Sequence, residues 1–347
     1  MHSGRTVTTR RRYASLIACA VAAIASVGFD VASFAGAEAP YDENVRARML
    51  RHRDGTVAHV KTRYNDIFVV KRGRYLFLTT RYAGVEHFQS VVDLKDPDEL
   101  MAPYTRIMSV ALAYPRALHR ILMIGLGAGS ISTYLARAMP AVRIDTVELD
   151  PGIIAVAKKY FGLRETANVR LIEGDGRLYL SRHAERYDVI LLDAFKDLGV
   201  PLEMRTQAFY ALVRQRLTPS GVAAFNIAAD ADTAAENAKF YRSSLTALGK
   251  VFERVDVYPD WTVGPQEQAI AVAAAAGAPG RDALMRRARA LQDRFRFRYA
   301  LPDLVGDRLA AAEGKTPAPL SDDVEAAAPT EMAVSEAPFD PLRRFSD

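Results

Sequence analysis

One cysteine, Cys19, is all the sequence holds, and it lies inside an N-terminal segment that reads as an export signal. The remaining chain therefore has no disulfide, no thiolate nucleophile and no cysteine-based metal site. Six histidines are scattered with no pair at ligand spacing, so no metal is expected. The formal charge is +5, but four of the arginines fall in the first twelve residues. Beyond them no Lys/Arg stripe interleaves with aromatics, and nucleic acid is not an expected partner. Outside the N-terminal segment no run is long and apolar enough to span a bilayer. No internal repeat is visible. The rest is ordinary globular composition over 347 residues, enough for about two domains.

The N-terminus carries a basic segment, Arg5 to Arg12, an apolar run, Leu16 to Phe29, and a small-residue site, Ala35-Gly36-Ala37. These are the three parts of a secretory signal, and residues 1–37 are assigned to it. Thr9-Arg10-Arg11-Arg12-Tyr13 loosely matches a twin-arginine pattern. The expectation is export to the periplasm, with no membrane span after processing. An uncleaved anchor is one alternative; a misassigned start codon, leaving a cytoplasmic protein, is the other.

The chain is organised around Arg120 to Leu135. Ile121, Leu122, Met123 and Ile124 form a short continuous apolar run, as in a central parallel strand covered on both faces. Gly125, Gly127 and Gly129 follow, a turn able to point amide N–H groups and a helix N-terminus at a ligand. A second strand, Arg143 to Asp150, contains Glu148, roughly twenty residues past the glycines, the spacing at which a carboxylate reaches a ribose hydroxyl pair. Asp150-Pro151 reads as N-cap and first helical residue of the next helix. A third strand, Val169 to Glu173, ends in Gly174-Asp175-Gly176. Asp175 can accept from an exocyclic amine or cap the following helix, and the two roles are compatible. The fourth strand, Tyr187 to Asp193, ends in a carboxylate at the edge where open α/β sheets bind ligands. The chemistry is placed there, with loop ordering as the alternative role for Asp193.

Residues 42–95 alternate in short segments and read as a β-hairpin or meander domain. Asp96-Pro-Asp-Glu99 is expected to open a helix running through Tyr104 to Leu112. Residues 96–278 form a Rossmann-like α/β domain. A turn is expected at Pro219-Ser-Gly221, and the late strands Val251–Tyr258 and Gln268–Ala273 could pair antiparallel. Residues 281–312 form a C-terminal helical segment, with Arg281 to Tyr299 as an amphipathic basic helix whose charges read as a solvated face. Residues 313–347, rich in Pro, Ala and acids, are expected to be a disordered tail.

The β module followed by Gly-Leu-Gly-Ala-Gly129, Val-Glu-Leu-Asp150, Lys158-Lys-Tyr160, Glu-Gly-Asp-Gly176 and Tyr-Asp-Val-Ile-Leu-Leu-Asp193 resembles the spermidine synthase family, the polyamine aminopropyltransferases, over about Tyr64 to Ala273. The resemblance implies the S-adenosylmethionine-dependent methyltransferase fold, a seven-stranded sheet with an antiparallel last strand. It implies that Glu148 holds the ribose, Asp175 contacts adenine, and Asp193 acts on the attacking amine. It further implies decarboxylated S-adenosylmethionine as co-substrate, no metal, a small amine such as putrescine as acceptor, and a possible homodimer. Gln89 and Tyr64 are the candidate substrate-side residues.

Several positions depart from the family pattern. The glycine loop carries Ala128 where an aspartate usually holds the donor's amine. After Asp193 comes Ala-Phe-Lys196, with Asp197 displaced by one, and a lysine there opposes a polyamine cation. Tyr104 to Tyr114 offers no His-Glu pair, and Tyr64-Asn65 replaces Tyr-Gln. Two other readings follow. Ala128 removes discrimination against the carboxylate of intact S-adenosylmethionine, which suits a small-molecule methyltransferase. The export signal suits a nucleoside- or polyamine-binding protein without catalysis.

Overall fold

The computed structural model describes residues 40–195, 199–228, 234–262 and 268–308, with backbone only for 234–238. The expected signal, the tail from 313 onward, Lys196 and Asp197 lie outside the described residues.

Helix α1 (Glu43–Arg51) comes first, capped by Asp42, whose carboxylate accepts from the Asn44 N–H. No helix is expected there from the alternating pattern, because α1 buries only Met49 and shows little apolar stripe. Strands β1 (Gly55–Lys61), β2 (Asp66–Arg72), β3 (Tyr75–Tyr82) and β4 (Val85–Asp93) then form an antiparallel meander in the order 1-2-3-4. A bulge interrupts the β3–β4 pairing, since Leu78 faces Ser90 and Thr79 faces Phe88. Gln89 is the extra residue, and the bulge resets which side chains point to each face.

The helix expected from Asp96 does not form at that point. Pro103 starts helix α2 (Pro103–Met108), and Ala102 before it is extended at φ −76°, ψ 122°. A proline has no N–H to continue a preceding turn and pushes its neighbour out of the helical region. Ser109–Ala113 continues as a 3₁₀ turn.

The α/β sheet holds seven strands: β5 (Arg120–Ile124), β6 (Arg143–Glu148), β7 (Val169–Glu173), β8 (Tyr187–Leu192), β9 (Leu217–Ala228), β10 (Arg254–Pro259) and β11 (Gln268–Ala274). Their order is 10-11-9-8-5-6-7, and β11 is antiparallel to both neighbours. This is the methyltransferase-type sheet with its reversed strand. Pro219-Ser-Gly221 does not end a strand; it is a distortion inside β9, where Tyr187 pairs with Leu217 and Val189 with Val222. The helices between strands are α3 (Ser130–Ala138), α4 (Pro151–Tyr160), α5 (Gly176–Arg182), α6 (Gln207–Gln215) and α7 (Ala234–Gly249). Helices α8 (Arg281–Phe295) and α9 (Leu301–Gly306) follow. α8 stops short of Tyr299 because Arg296 turns left-handed at φ 51°. That turn carries Phe297 and Tyr299 onto the ring of Tyr134.

The central strands read as continuous apolar runs because both faces are covered; Ile121 and Val189 pack with α3 and α8 on one side, Leu122 and Ile190 with α6 on the other. The meander shares a third core with α4, where Ile67, Val69, Leu76 and Leu78 meet Leu126, Ile153, Val156 and Leu163.

Candidate active site at the carboxyl edge of the sheet

The first contributor is the turn between β5 and α3. The Gly125 N–H donates to the Val147 carbonyl (2.9 Å), tying the turn to β6. Gly125 sits at φ +95°, and a Cβ there would run into the Asp193 carbonyl. Gly127, at φ +55°, leaves no room for a Cβ against the Ser90 hydroxyl. These glycines are thus required by positive φ and by close approach of β8 and the meander. The Ala128 N–H donates to Ser90 Oγ at 3.1 Å, and Ala128 itself is buried.

Glu148 closes the turn from the β6 side. One carboxylate oxygen accepts from the Leu126 N–H at 2.9 Å, the other from the Asp150 N–H at 2.8 Å. Burial raises its pKa, and these two backbone donors oppose the rise. Asp150 caps α4 through Gly152 N–H (2.8 Å) and accepts from Thr62 Oγ1 (2.7 Å) and Asn65 Nδ2 (2.8 Å) of the β1–β2 turn. The Gly174 N–H donates to the Glu148 carbonyl at 2.9 Å, setting Gly174-Asp175-Gly176 beside it. Asp175 caps α5 by accepting from Leu178 N–H at 2.8 Å. Gly176 packs on β5, where a Cβ would lie 2.5 Å from Ile124 Cγ2. Two leucines flank these acids and are unusually open for their type, Leu149 at 39 % and Leu178 at 49 % exposure.

Asp193 stands at the end of β8, its N–H on the Ile124 carbonyl at 2.9 Å. Its Oδ1 accepts from Asn226 Nδ2 of β9 (2.8 Å), and its Oδ2 from the Tyr104 hydroxyl of α2 (3.2 Å). Asn226 in turn accepts from Gln268 Nε2 of β11 at 3.1 Å. Among the described residues no cation faces Asp193, and burial pushes its carboxyl up to about 6 despite the two hydrogen bonds. Tyr104 is raised well above the usual phenol range, first by burial and then by the Asp193 charge, so it stays a neutral donor. Asp193 and Tyr104 line one cavity with Ser90, Met101, Leu126 and Ser130. A protonatable carboxylate, a glycine turn and a second acid, Glu148, thus share one edge.

A family model described as the spermine/spermidine synthase domain matches residues 102–267. The polyamine aminopropyltransferase of Chromobacterium violaceum is 32% identical over 223 residues, 63% of this chain and 81% of that protein. The chain belongs to the spermine/spermidine synthase family. The polyamine aminopropyltransferase of Vibrio vulnificus is 34% identical over 177 residues, 49% of this chain, and the chain spans 59% of that relative's length. The crystal structure of spermidine synthase from Thermotoga maritima shares the fold, with a TM-score of 0.56 at 18% identity, covering 74% of this chain and 84% of that one.

Gly125, Gly127, Gly129, Glu148, Asp175, Gly176 and Asp193 are all placed at this one edge of the synthase-family sheet. Gln89 and Tyr64 are held by neighbours within the meander. Gln89, displaced by the β4 bulge, donates to Thr80 Oγ1 at 3.1 Å, and its neighbour Ser90 reaches the glycine turn instead. Tyr64 packs under the Arg63 guanidinium, 4.6 Å from its ring centre, while Asn65 of the same turn reaches Asp150. Tyr104, Ser90, Asn226 and Gln268 are functional candidates that the motifs do not mark. Asn226 alone had a visible signal, a lone amide inside the apolar run Val222 to Ile227.

Proposed function

We propose that the protein transfers the aminopropyl group of decarboxylated S-adenosylmethionine to a small amine. The observation that carries this reading is Asp193, a carboxylate with no cationic partner among the described residues, held by neutral donors beside the glycine turn. An incoming ammonium supplies the missing cation. Near neutral pH, a carboxyl lifted to about 6 accepts the proton that the ammonium must lose. The freed amine nitrogen then bonds to the carbon beside the sulfonium. The carbon–sulfur bond breaks, its electron pair neutralises the sulfur, and 5′-methylthioadenosine departs. Holding both reactants in line contributes the rest of the acceleration.

In this reading the glycine turn admits the nucleoside, Glu148 accepts from the ribose hydroxyls with its remaining lone pairs, and Asp175 accepts from the adenine amine with the oxygen not used in capping. Leu149 and Leu178 offer the apolar surfaces for the base. Ala128 favours a second reading, methyl transfer from intact S-adenosylmethionine, because it leaves no acid in the loop to exclude the donor's carboxylate. We also propose export by residues 1–37; mass spectrometry of the mature N-terminus tests it, and an intact segment before Ala37 refutes it. Among the described residues no helix is long and apolar enough to cross a membrane.

Calorimetric titration with decarboxylated S-adenosylmethionine, intact S-adenosylmethionine and 5′-methylthioadenosine separates the readings. Tighter binding of the decarboxylated form is the expected result. Preference for the intact form supports methyl transfer, and binding of none overturns both.

A further inference from the structure

We infer that Ser130 receives the terminal ammonium of the donor's aminopropyl arm, its hydroxyl oxygen accepting from that nitrogen, and so sets the preference among adenosyl sulfoniums. This inference rests on the transfer reading above. Four hydroxyls line the cavity that Asp193 shares, those of Ser90, Tyr104, Thr105 and Ser130. Three are engaged within the fold. Ser90 Oγ accepts from the Ala128 N–H, the Tyr104 hydroxyl donates to Asp193, and Thr105 Oγ1 donates to the Ala102 carbonyl at 2.5 Å. Ser130 Oγ is buried and has no partner among the described residues. An unpaired buried hydroxyl costs stability, so packing alone would be served better by alanine. Nor does the hydroxyl cap a helix. Ser130 is the first residue of α3, and the N-cap position before it belongs to Gly129 at φ 82°, with no side-chain cap.

The rest of the wall is largely apolar, with Met101, Met123, Leu126 and Ile131, and Asp193 is the sole charged residue among the described lining. Such a lining suits a short methylene chain ending in one polar group. Two opposing fields decide the charge of that group. The N-terminus of α3 carries roughly half a positive charge and favours an anion, whereas Asp193 is a full carboxylate once ionised. The whole charge outweighs the partial one, so the chain end is an ammonium rather than a carboxylate. The adjoining turn contributes only the buried Ala128 methyl and no acid. The donor's nitrogen is thus held by a neutral oxygen, and the one carboxylate is left for the proton of the incoming amine.

The test compares decarboxylated S-adenosylmethionine with its S-propyl analogue, which keeps the sulfonium and the three-carbon arm and lacks only the terminal amine. Each Kd is measured calorimetrically on the unaltered protein and on Ser130→Ala. The amine-bearing ligand should bind the unaltered protein at least about tenfold tighter, the size of one charge-assisted hydrogen bond. Ser130→Ala should shrink that margin about tenfold by weakening the amine-bearing ligand alone. Thermal melts without ligand should put the Ser130→Ala midpoint at or above that of the unaltered protein, because an unpaired buried hydroxyl is removed. An unchanged margin in Ser130→Ala overturns the inference and leaves a hydroxyl that meets only water. Equal weakening of both ligands, or a lowered midpoint, overturns it by marking a structural role. Equal affinities in the unaltered protein overturn it whether or not the variant folds. Both expected margins without 5′-methylthioadenosine release on adding an amine leave this inference standing and overturn aminopropyl transfer; normal release with an unchanged margin does the reverse.

Discussion

Replacing Tyr104 by Phe removes one of the two neutral donors to Asp193 and leaves the ring that lines the cavity. The Tyr104 hydroxyl stabilises the charged form of Asp193, so its loss raises the carboxyl pKa further. A hydrogen bond to a charged acceptor contributes about 1.5–3 kcal/mol. At 3.2 Å this one is long for O–H···O, which places it at the lower end. The shift is then about one pKa unit. The acid limb of kcat/KM, expected near 6 in the unaltered protein, should move to about 7. Since the ionised carboxylate is the form that accepts a proton, activity falls as pH drops through that limb. The variant should therefore be about fivefold slower near pH 6 and nearly normal above pH 8.5. The assay is the pH–rate profile of 5′-methylthioadenosine release, both proteins side by side. A uniform loss at every pH would show that Tyr104 only packs. An unshifted or lowered limb would refute the assignment of Asp193 as the proton acceptor tuned by Tyr104.

Asp193→Asn should abolish turnover yet stabilise the fold at pH 8. With the folded carboxyl raised to about 6 from an ordinary 3.8, the folded state holds the proton more tightly. Its burden is absent below about pH 4 and grows as pH rises to 6, to at most about 3 kcal/mol. Denaturant melts at pH 4 and 8 check this, and equal effects at both would contradict it. Glu148→Gln sets an amide N–H₂ against either the Leu126 or the Asp150 N–H. Calorimetry should show at least about tenfold weaker 5′-methylthioadenosine binding, and unaltered affinity would remove Glu148 from the nucleoside site. Gly127→Ala pushes a Cβ into the Ser90 hydroxyl at a left-handed φ. Pairing it with Ser90→Gly should recover part of the lost stability in thermal melts; no recovery would place the damage in the backbone strain alone.

What the sequence made legible is mostly local. The strand–turn–helix around Gly125 to Gly129, the cap at Asp150-Pro151 and the acid before α5 each depend on neighbouring residues, and each is found with its expected partners. The reversed strand was legible only as a possible antiparallel pair. The setting of Asp193 was hidden, because its donors lie 89 and 33 residues away and are delivered by topology. The contact of Ser90 with the Ala128 N–H depends on a one-residue bulge at Gln89 that no composition signal announces. The helix expected from Asp96 failed for a local reason that was legible, Pro103, but apolar spacing outweighed it.

The segment that the family model matches, 102–267, is not a unit that could stand alone. It stops one residue before β11, the strand wedged between β9 and β10, so that a fragment so bounded strips β10 of its neighbour in the sheet and deprives Asn226 of Gln268. At the other end it discards Ile67, Val69, Leu76 and Leu78, laying bare the side of α4 and the glycine turn that they cover. Kinship and self-sufficiency have different borders in this molecule. The meander travels with α4 and the glycine turn as a structural obligation, and swapping it between relatives would transplant half a hydrophobic core along with any specificity it carries.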